Sequence, residues 1–341
     1  MRKNFIILIL VALVPFFMWA GVYVPKNSSS NDQIEFVVKK GEGAEEISNN
    51  LAERGIIRGG IFFRSYVYLK EMSGSLKAGK YSLSPSMNIP EIAEKMVEGD
   101  VIKKTFTVIE GWNLRNVAQR LEELKIVEKD EVFNYLGVPA LDYSENPDLT
   151  KPKDFSDKFS FLSSKPENIS LEGFLFPDTY EISEGEGLEE IIIKIFSNFD
   201  KKTEDIRGDF GEDEFFDILT MASIIEKEVR TKEDKGIVSG ILWKRISLGM
   251  PLQVDATLSY ILDKKSTKIS IEETKVDSPY NAYKYRGLPL GPISNPGIES
   301  IEAAAFPTES SYLYYLSTPE GETIFSRTLQ EHNAAKAKYL K

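Results

Sequence analysis

The stretch Phe215-Phe-Asp-Ile-Leu-Thr-Met-Ala-Ser-Ile-Ile-Glu-Lys-Glu-Val229 predicts a helix that carries a carboxyl group on its apolar face. At about 100° per residue, Leu219, Ala222 and Glu226 fall within one arc of this helix. A carboxyl group in such a place is costly to ionise, and an acid that stays protonated near neutral pH can serve as a general acid. The alternative is structural: Glu226 is a buried carboxylate paired with a lysine or arginine, or it lies where the helix end turns toward solvent.

The N-terminal sequence predicts a membrane anchor. Residues 5–24 contain no charged side chain, and about 20 such residues at about 1.5 Å rise each match a hydrocarbon core of about 30 Å. Because Arg2 and Lys3 precede this run, we expect residues 1–4 in the cytoplasm and the rest of the chain outside the plasma (inner) membrane. A cleaved signal peptide is the alternative, although the run lacks a clear cleavage site. Residues 25–32 read as a short linker.

The composition excludes several classes of function. With 341 residues, of which 42% are hydrophobic and 28% charged, the chain is long enough for about two folded domains. It has no cysteine and a single histidine, His332, which excludes disulfides, cysteine nucleophiles and zinc–thiolate sites. The formal net charge of −11 disfavours nucleic acid as a partner.

A short pattern occurs twice in the N-terminal half. Residues 36–41 and 106–111 each read as a strand ending in a glycine turn, and each precedes a predicted helix at the same spacing. A further helix is expected to begin at Pro90 and to end at Gly99. These small strand–helix units resemble the LysM-like modules that bind peptidoglycan glycans. We therefore expect a small LysM-like domain over residues 33–105 and a larger domain over residues 106–341.

The C-terminal half contains a series of motifs rich in proline, glycine and aromatic residues. A rigid, irregular loop beside aromatic and amide side chains suits a carbohydrate-binding groove, whereas the alternative is a conformationally locked surface loop with a packing role. The motifs are Glu172-Gly-Phe-Leu-Phe-Pro-Asp-Thr-Tyr180, Ala222-Ser-Ile-Ile-Glu-Lys-Glu228, Gly249-Met-Pro-Leu-Gln-Val-Asp-Ala-Thr257, Ser278-Pro-Tyr-Asn-Ala-Tyr283, Gly287-Leu-Pro-Leu-Gly-Pro-Ile293 and Asn295-Pro-Gly297.

This ordered set of motifs closely resembles the YceG/MltG family of endolytic murein transglycosylases, and the resemblance covers nearly the whole chain. It implies cleavage of the β-1,4 bond between N-acetylmuramic acid and N-acetylglucosamine in nascent peptidoglycan strands, with a 1,6-anhydro product and without a metal or cofactor. It also implies peptidoglycan and the cell-wall synthases as partners. Relatives often have a proline where this chain has Ala256, and a histidine where it has Thr323.

By the same resemblance, Glu226 is the first glutamate of the Glu-Lys-Glu motif and hence the catalytic residue. The helical periodicity predicts that Glu228 shares the motif but points away from the apolar face. Replacing Glu226 with glutamine is therefore predicted to remove activity, and the same change at Glu228 to be milder. The motif positions suggest a further set of substrate-binding side chains, namely Glu172, Gln253, Asp255, Tyr280, Asn281 and Tyr283.

The predicted fold class is α+β, with an N-terminal transmembrane helix, a small LysM-like domain and a larger mixed α+β catalytic domain. Two other functions stay open at this point. One is a non-catalytic peptidoglycan-binding scaffold for cell-wall synthesis, which would not need an acid on an apolar face. The other is an aminodeoxychorismate lyase, which would need a pyridoxal cofactor on a lysine.

Overall fold

The computed structural model describes residues 2–183, 185–264 and 269–340, with residues 2–12 described by their backbone. Helices and short strands are intermixed, so the chain is a mixed α+β protein. The helices are α1 (Arg2–Tyr23), α2 (Ala44–Glu53), α3 (Gly60–Leu69), α4 (Ile89–Glu98), α5 (Leu114–Glu123), α6 (Lys129–Leu136), α7 (Leu188–Phe210), α8 (Glu212–Glu228), α9 (Lys232–Ser247), α10 (Asp255–Ile261), α11 (Ile298–Ala305) and α12 (Leu329–Tyr339). The strands are β1 (Ile34–Val38), β2 (Gly79–Leu83), β3 (Lys103–Val108), β4 (Asp178–Ser183), β5 (Tyr314–Ser317) and β6 (Thr323–Ser326), paired as β1–β2, β3–β4 and β5–β6.

The first of two compact units comprises residues 1–105 and 181–187. Strands β1 and β2 pair antiparallel with Phe36 opposite Tyr81. Both side chains are buried in a core that also contains Ile47, Leu51 and Phe63. Burying large apolar side chains of this kind contributes roughly 1.5–3 kcal/mol each, so the small sheet is held by the helices that cover it.

The predicted helix between Pro90 and Gly99 is confirmed as α4. Asn88 accepts a hydrogen bond from the Glu91 amide at 3.0 Å, and the Glu91 carboxylate accepts from the Asn88 amide at 2.9 Å. This reciprocal capping satisfies two amides that a helix start would otherwise leave unpaired. The helix ends where Gly99 adopts a φ of 77°, a left-handed conformation that favours glycine.

The end of α1 packs within the first unit. Val22 is buried in the core, and Phe17 makes an edge contact with Phe62 at 5.3 Å between ring centroids. Gly21 lies directly against the same ring, because a β-carbon there would be 2.3 Å from Phe62. Helix α1 therefore approaches α3 closely at its last turn.

The prediction of a transmembrane helix over residues 5–24 is wrong. In the part of the chain that the structure describes, no helix combines the length and the apolar character needed to cross a bilayer. Residue 1, which belongs to the predicted cytoplasmic tail, lies outside the described residues.

The predicted strand–turn–helix repeat is confirmed as local structure. β1 and α2 form the first copy, and β3 and α5 form the second, with both helices beginning and ending 70 residues apart. The turn glycines Gly41 and Gly111 have φ values of 86° and 75°, a backbone conformation that other residues adopt only with strain. The assignment of LysM-like character to residues 33–105 stays a prediction.

The second unit comprises residues 106–180 and 188–341 and is built around α8. Every residue of α8 from Ile218 to Ile225 is buried, which is the pattern of a helix surrounded on all sides. α9 packs tightly on a loop at Thr308, because a β-carbon on Gly240 would lie 2.1 Å from the Thr308 carbonyl oxygen. The Trp243 indole in α9 also donates a hydrogen bond to the backbone carbonyl of Ala304 in α11, at 2.9 Å.

Candidate active site

The second unit contains an open cleft of about 1250 Å³. Its walls come from the turn between β3 and α5, the end of α8, the start of α10, and strand β5. Three of the predicted substrate-binding residues, Gln253, Asp255 and Tyr283, line it. A concave cleft with converging polar and aromatic side chains is the usual form of a ligand site.

Glu228, the last residue of α8, is the carboxyl group in this cleft that is most strongly perturbed. It is half-buried, and its carboxylate accepts a hydrogen bond from the Tyr315 hydroxyl at 2.9 Å. Burial, helped by the charge of the nearby Asp255, raises the pKa of Glu228 to about 7, against the lowering effects of the hydrogen bonds from Tyr315 and the Ala256 amide and of the charge of Arg245. Glu228 can therefore hold a proton near neutral pH and can also release it, as a general acid and base must.

Arg245 is a fixed cation in the same cleft. Its guanidinium donates to the Leu252 carbonyl at 2.7 Å and to the Leu313 carbonyl at 2.9 Å, and it lies 5.1 Å from the centre of the Tyr314 ring. Only 7% of the residue is exposed. Two of the guanidinium N–H groups thus donate to backbone carbonyls, and the charge of Arg245 lowers the pKa of Glu228 by less than burial raises it.

The turn before α10 presents two further polar side chains. The Tyr283 hydroxyl donates a short hydrogen bond to the Asp255 carboxylate. Gln253 is exposed and has a φ of 51°, which is uncommon for a residue with a β-carbon. The backbone amide of Gln253 donates to the Ala282 carbonyl at 3.0 Å. Backbone strain of this kind is held in place by surrounding structure and is concentrated at functional sites.

Glu226, the predicted catalytic residue, does not line this cleft. Its Oε2 atom accepts hydrogen bonds from the Ser300 hydroxyl at 2.6 Å, the Gly297 amide at 3.1 Å and the buried Lys235 ammonium at 3.5 Å. The side chain of Glu226 is 8% exposed. Three donors on one oxygen are the environment of a paired, structural carboxylate. Because residues two positions apart in a helix are rotated by about 200° around its axis, the side chains of Glu226 and Glu228 face nearly opposite directions.

Glu110 lies between the cleft and Gly297, whose amide donates to Glu226. It lines the cleft, and its carboxyl group lies so close to Gly297 that a β-carbon there would be 2.1 Å from Glu110 Oε1. Burial raises the pKa of Glu110, and the charge of Glu226 raises it further. Glu110 was not among the site residues predicted from the sequence.

The other three predicted binding residues, which stay a prediction, do not line the cleft and make contacts inside the protein. Glu172 is 1% exposed and accepts a hydrogen bond from the Leu114 amide, at 3.0 Å from each carboxylate oxygen, at the start of α5. Burial raises the pKa of Glu172 to about 8. Tyr280 is buried against Tyr260, with ring centroids 5.4 Å apart. Asn281 is buried too, and its side chain donates to the carbonyl groups of two residues, Thr274 and Val276.

Asn295 ties the motifs of the C-terminal half to the turn at Trp112. Its side-chain oxygen accepts from the Gly173 and Leu175 amides at 3.0 and 2.9 Å. Its side-chain nitrogen donates to the Trp112 carbonyl at 2.9 Å and to Glu172 at 3.2 Å. Asn295 is fully buried. Much of the distinctive loop sequence therefore serves to position one wall of the cleft.

Sequence reasoning missed several residues of the cleft. Glu228 could have been found from its place at the end of the Glu-Lys-Glu motif, where a helix terminus can turn into a site. Arg245, Tyr314 and Tyr315 carry no motif that identifies them in advance. Within the ranges 2–183, 185–264 and 269–340, no group of three or more His, Asp or Glu side chains could hold a metal ion.

Comparison with known proteins places the chain in a family. Residues 36–338 match the YceG-like family. The endolytic murein transglycosylase of Bacillus subtilis is 32% identical over 321 residues, covering 93% of this chain and 87% of that protein. The protein of the same name from Streptococcus pneumoniae D39 is 28% identical over 337 residues, covering 93% of this chain but 60% of the relative.

A solved structure agrees with this assignment. The crystal structure of a yceG-like protein from Listeria monocytogenes has a TM-score of 0.56 and 32% sequence identity, covering 90% of this chain and 100% of that one. Family match and relatives together span both compact units. The chain therefore belongs to the YceG-like family.

Proposed function

We propose that this protein is an endolytic murein transglycosylase, which cleaves the glycan strands of peptidoglycan internally and acts on the cell wall outside the cytoplasm. The relatives from Bacillus subtilis and Streptococcus pneumoniae bear this name. The single observation that carries the proposal is Glu228, a half-buried carboxyl group with a pKa of about 7 that lines a large open cleft. A carboxyl group with this property is what acid-assisted cleavage of a glycosidic bond requires.

The reaction needs one carboxyl group that acts twice. Glu228 in its protonated form donates its proton to the glycosidic oxygen between N-acetylmuramic acid and N-acetylglucosamine. The C1–O bond breaks, and its electron pair stays with the departing oxygen, leaving positive charge at C1 of the muramic acid. Glu228, now a carboxylate, removes the proton from the C6 hydroxyl of the same sugar, whose oxygen then bonds to C1. The product is a 1,6-anhydro end, and no water is consumed.

The surroundings of Glu228 support both steps. Burial keeps the neutral acid populated near pH 7, and the Tyr315 hydroxyl stabilises the carboxylate that forms after proton donation. The Asp255 carboxylate, held by Tyr283, adds negative charge near the position where the sugar becomes positive. Gln253, exposed at the same edge, supplies an amide for sugar hydroxyl or N-acetyl groups.

We assign the acid and base role to Glu228 and a structural role to Glu226. Glu226 has a hydroxyl, an amide and an ammonium group as donors to one oxygen, and it lies outside the cleft. Glu228 accepts from neutral donors, the Tyr315 hydroxyl and the Ala256 backbone amide, and it lines the cleft. The catalytic assignment that the sequence suggested thus moves by two residues along α8.

The test is mass spectrometry of purified peptidoglycan after digestion by the full chain. The proposal predicts 1,6-anhydro-muramic ends from the wild type and none from Glu228→Gln. Reducing ends would instead mean hydrolysis, with water in the place of the C6 hydroxyl. Binding without cleavage by the wild type, with nascent uncross-linked strands included among the substrates, would favour the non-catalytic scaffold.

A further inference from the structure

A second, smaller pocket adjoins the catalytic cleft. This side pocket has a volume of about 380 Å³ and shares Ile109, Trp112 and Asn116 with the cleft. Its size is at the lower end of the roughly 300–1,000 Å³ typical of small-ligand sites. Because the same three residues line both spaces, the side pocket lies directly beside the cleft.

The outer face of α5 forms the polar wall of the side pocket. Gln119, Arg120 and Glu123 follow Asn116 at helical spacing and lie on one face, whereas the opposite face of α5 is buried. Glu123 accepts from Gln119 at 3.0 Å and from Arg120 at 3.3 Å. The side chains of this ion pair, Arg120 and Glu123, are 42% and 50% exposed, so the pair is weak and its groups can exchange partners with a ligand.

Trp112 lies at the boundary of the two spaces on a rigid backbone. Its carbonyl accepts from the Asn295 amide at 2.7 Å and from the Asn295 side chain at 2.9 Å. The preceding residue, Gly111, donates to the Asn295 carbonyl at 2.9 Å and accepts from Lys227 at 3.0 Å. The indole itself is half-buried. Because the backbone that carries this flat aromatic side chain is held firmly, little backbone freedom is lost when a ligand covers the ring.

We propose that the side pocket binds a distal part of the glycan strand while the cleft holds the bond that is cleaved. This inference rests on the proposed function, because an enzyme that cuts within a strand must accommodate sugars beyond the reacting pair. The Trp112 ring offers an apolar face to the C–H groups of a pyranose ring. Gln119 and Arg120 offer hydrogen-bond donors to sugar hydroxyl groups and to the carbonyl oxygens of the N-acetyl and lactyl amide groups.

The experiment compares long uncross-linked glycan strands with the shortest fragment that the wild type still cleaves. Trp112→Ala and the double variant Gln119→Ala/Arg120→Ala should each lower kcat/KM on long strands by about tenfold, as expected for loss of one stacked or hydrogen-bonded contact. On the shortest fragment the double variant should stay within about twofold of the wild type. Arg286→Ala, an exposed arginine outside both spaces, is the matched control and should match the wild type on both substrates.

The double variant keeps the inference testable if Trp112→Ala does not fold. Gln119 and Arg120 lie on the outer face of α5, where alanine is tolerated. Equal effects on long and short substrates, or no effect on either, would overturn the inference. Calorimetric binding of long strands to Glu228→Gln, with and without the double substitution, separates the two proposals. A tenfold loss of affinity supports the side pocket even if the wild type makes no anhydro ends, and unchanged affinity refutes it.

Discussion

Replacing Glu228 with glutamine should stabilise the protein at neutral and alkaline pH while it removes activity. Burial raises the pKa of Glu228 in the folded protein from 4.5 to about 7. Its stabilising contribution is therefore fully present below pH 4.5 and is lost as the pH rises through 7. Since each unit of this rise in pKa corresponds to about 1.36 kcal/mol, burying the ionised Glu228 side chain lowers the free energy of unfolding by about 3 kcal/mol at pH 8. Glutamine has nearly the same shape, has no charge to bury, and can still accept from the Tyr315 hydroxyl.

The assay is urea unfolding of wild type and Glu228→Gln at pH 5 and pH 8. The free energy of unfolding of the variant, relative to the wild type, should increase by about 2 kcal/mol between these two pH values, because the wild-type group ionises over this range. The comparison cancels the titration of all other groups. A variant that is less stable than the wild type by more than about 1 kcal/mol at both pH values would refute the reasoning, since it would mean that Glu228 is a paired carboxylate.

Glu226→Gln is the matched control and should have the opposite effect. The change weakens the contacts to Ser300 and Gly297, and it leaves the buried Lys235 with Glu299 at 4.0 Å as its remaining ion pair. Removing one partner of a buried charge pair costs about 3 kcal/mol or more. The variant should therefore be less stable than the wild type at both pH values. Equal stability of the two proteins would contradict the structural role given to Glu226.

Three further outcomes are expected. Asn295→Ala leaves two buried amides without acceptors and should lower the free energy of unfolding in urea by about 3 kcal/mol; a loss below about 1 kcal/mol would contradict the role of Asn295 as the link between the loops. Gly240→Ala forces a β-carbon against the Thr308 carbonyl and should cost about 2 kcal/mol, seen as a lower Tm; an unchanged Tm would show that α9 can shift freely. Tyr315→Phe removes a hydrogen bond that lowers the pKa of Glu228, so the alkaline limb of the pH–rate profile should move upward by about one pH unit. A limb that stays in place or moves downward would argue against Glu228 as the acid.

Local signals in the sequence predicted the regular elements well. The repeated strand–turn–helix pattern was visible because its glycines must adopt positive φ and its helices have one apolar face. Helix α4 was predictable from its two ends, because Pro90 favours the first turn of a helix and Gly99 favours its termination. Such signals depend on neighbouring residues alone. The run of apolar residues at the N-terminus was interpreted as a membrane span, and that interpretation is wrong for the described residues.

The candidate site was less predictable, because contacts distant in sequence determine it. α8 is buried around its whole circumference, so an apolar arc could not distinguish a catalytic position from a structural one. The environment of Glu226 is set by Ser300, about 70 residues away, and that of Glu228 by Tyr315, still farther along the chain. Glu172 and the amide of Asn281 belong to motifs, but they hold loops together from inside the protein. Motif membership identified the region of the site without identifying which side chains face the cleft.

The most direct test of the account is the initial rate at which 1,6-anhydro-muramic ends form on purified peptidoglycan. The wild type, Glu228→Gln and Glu226→Gln should be compared at pH 6, after circular dichroism has shown that each is folded. The account predicts that Glu228→Gln loses at least about a thousandfold in rate, as expected for loss of a general acid, and that folded Glu226→Gln stays within about tenfold of the wild type. An active Glu228→Gln beside an inactive, folded Glu226→Gln would contradict the account and return the catalytic role to Glu226.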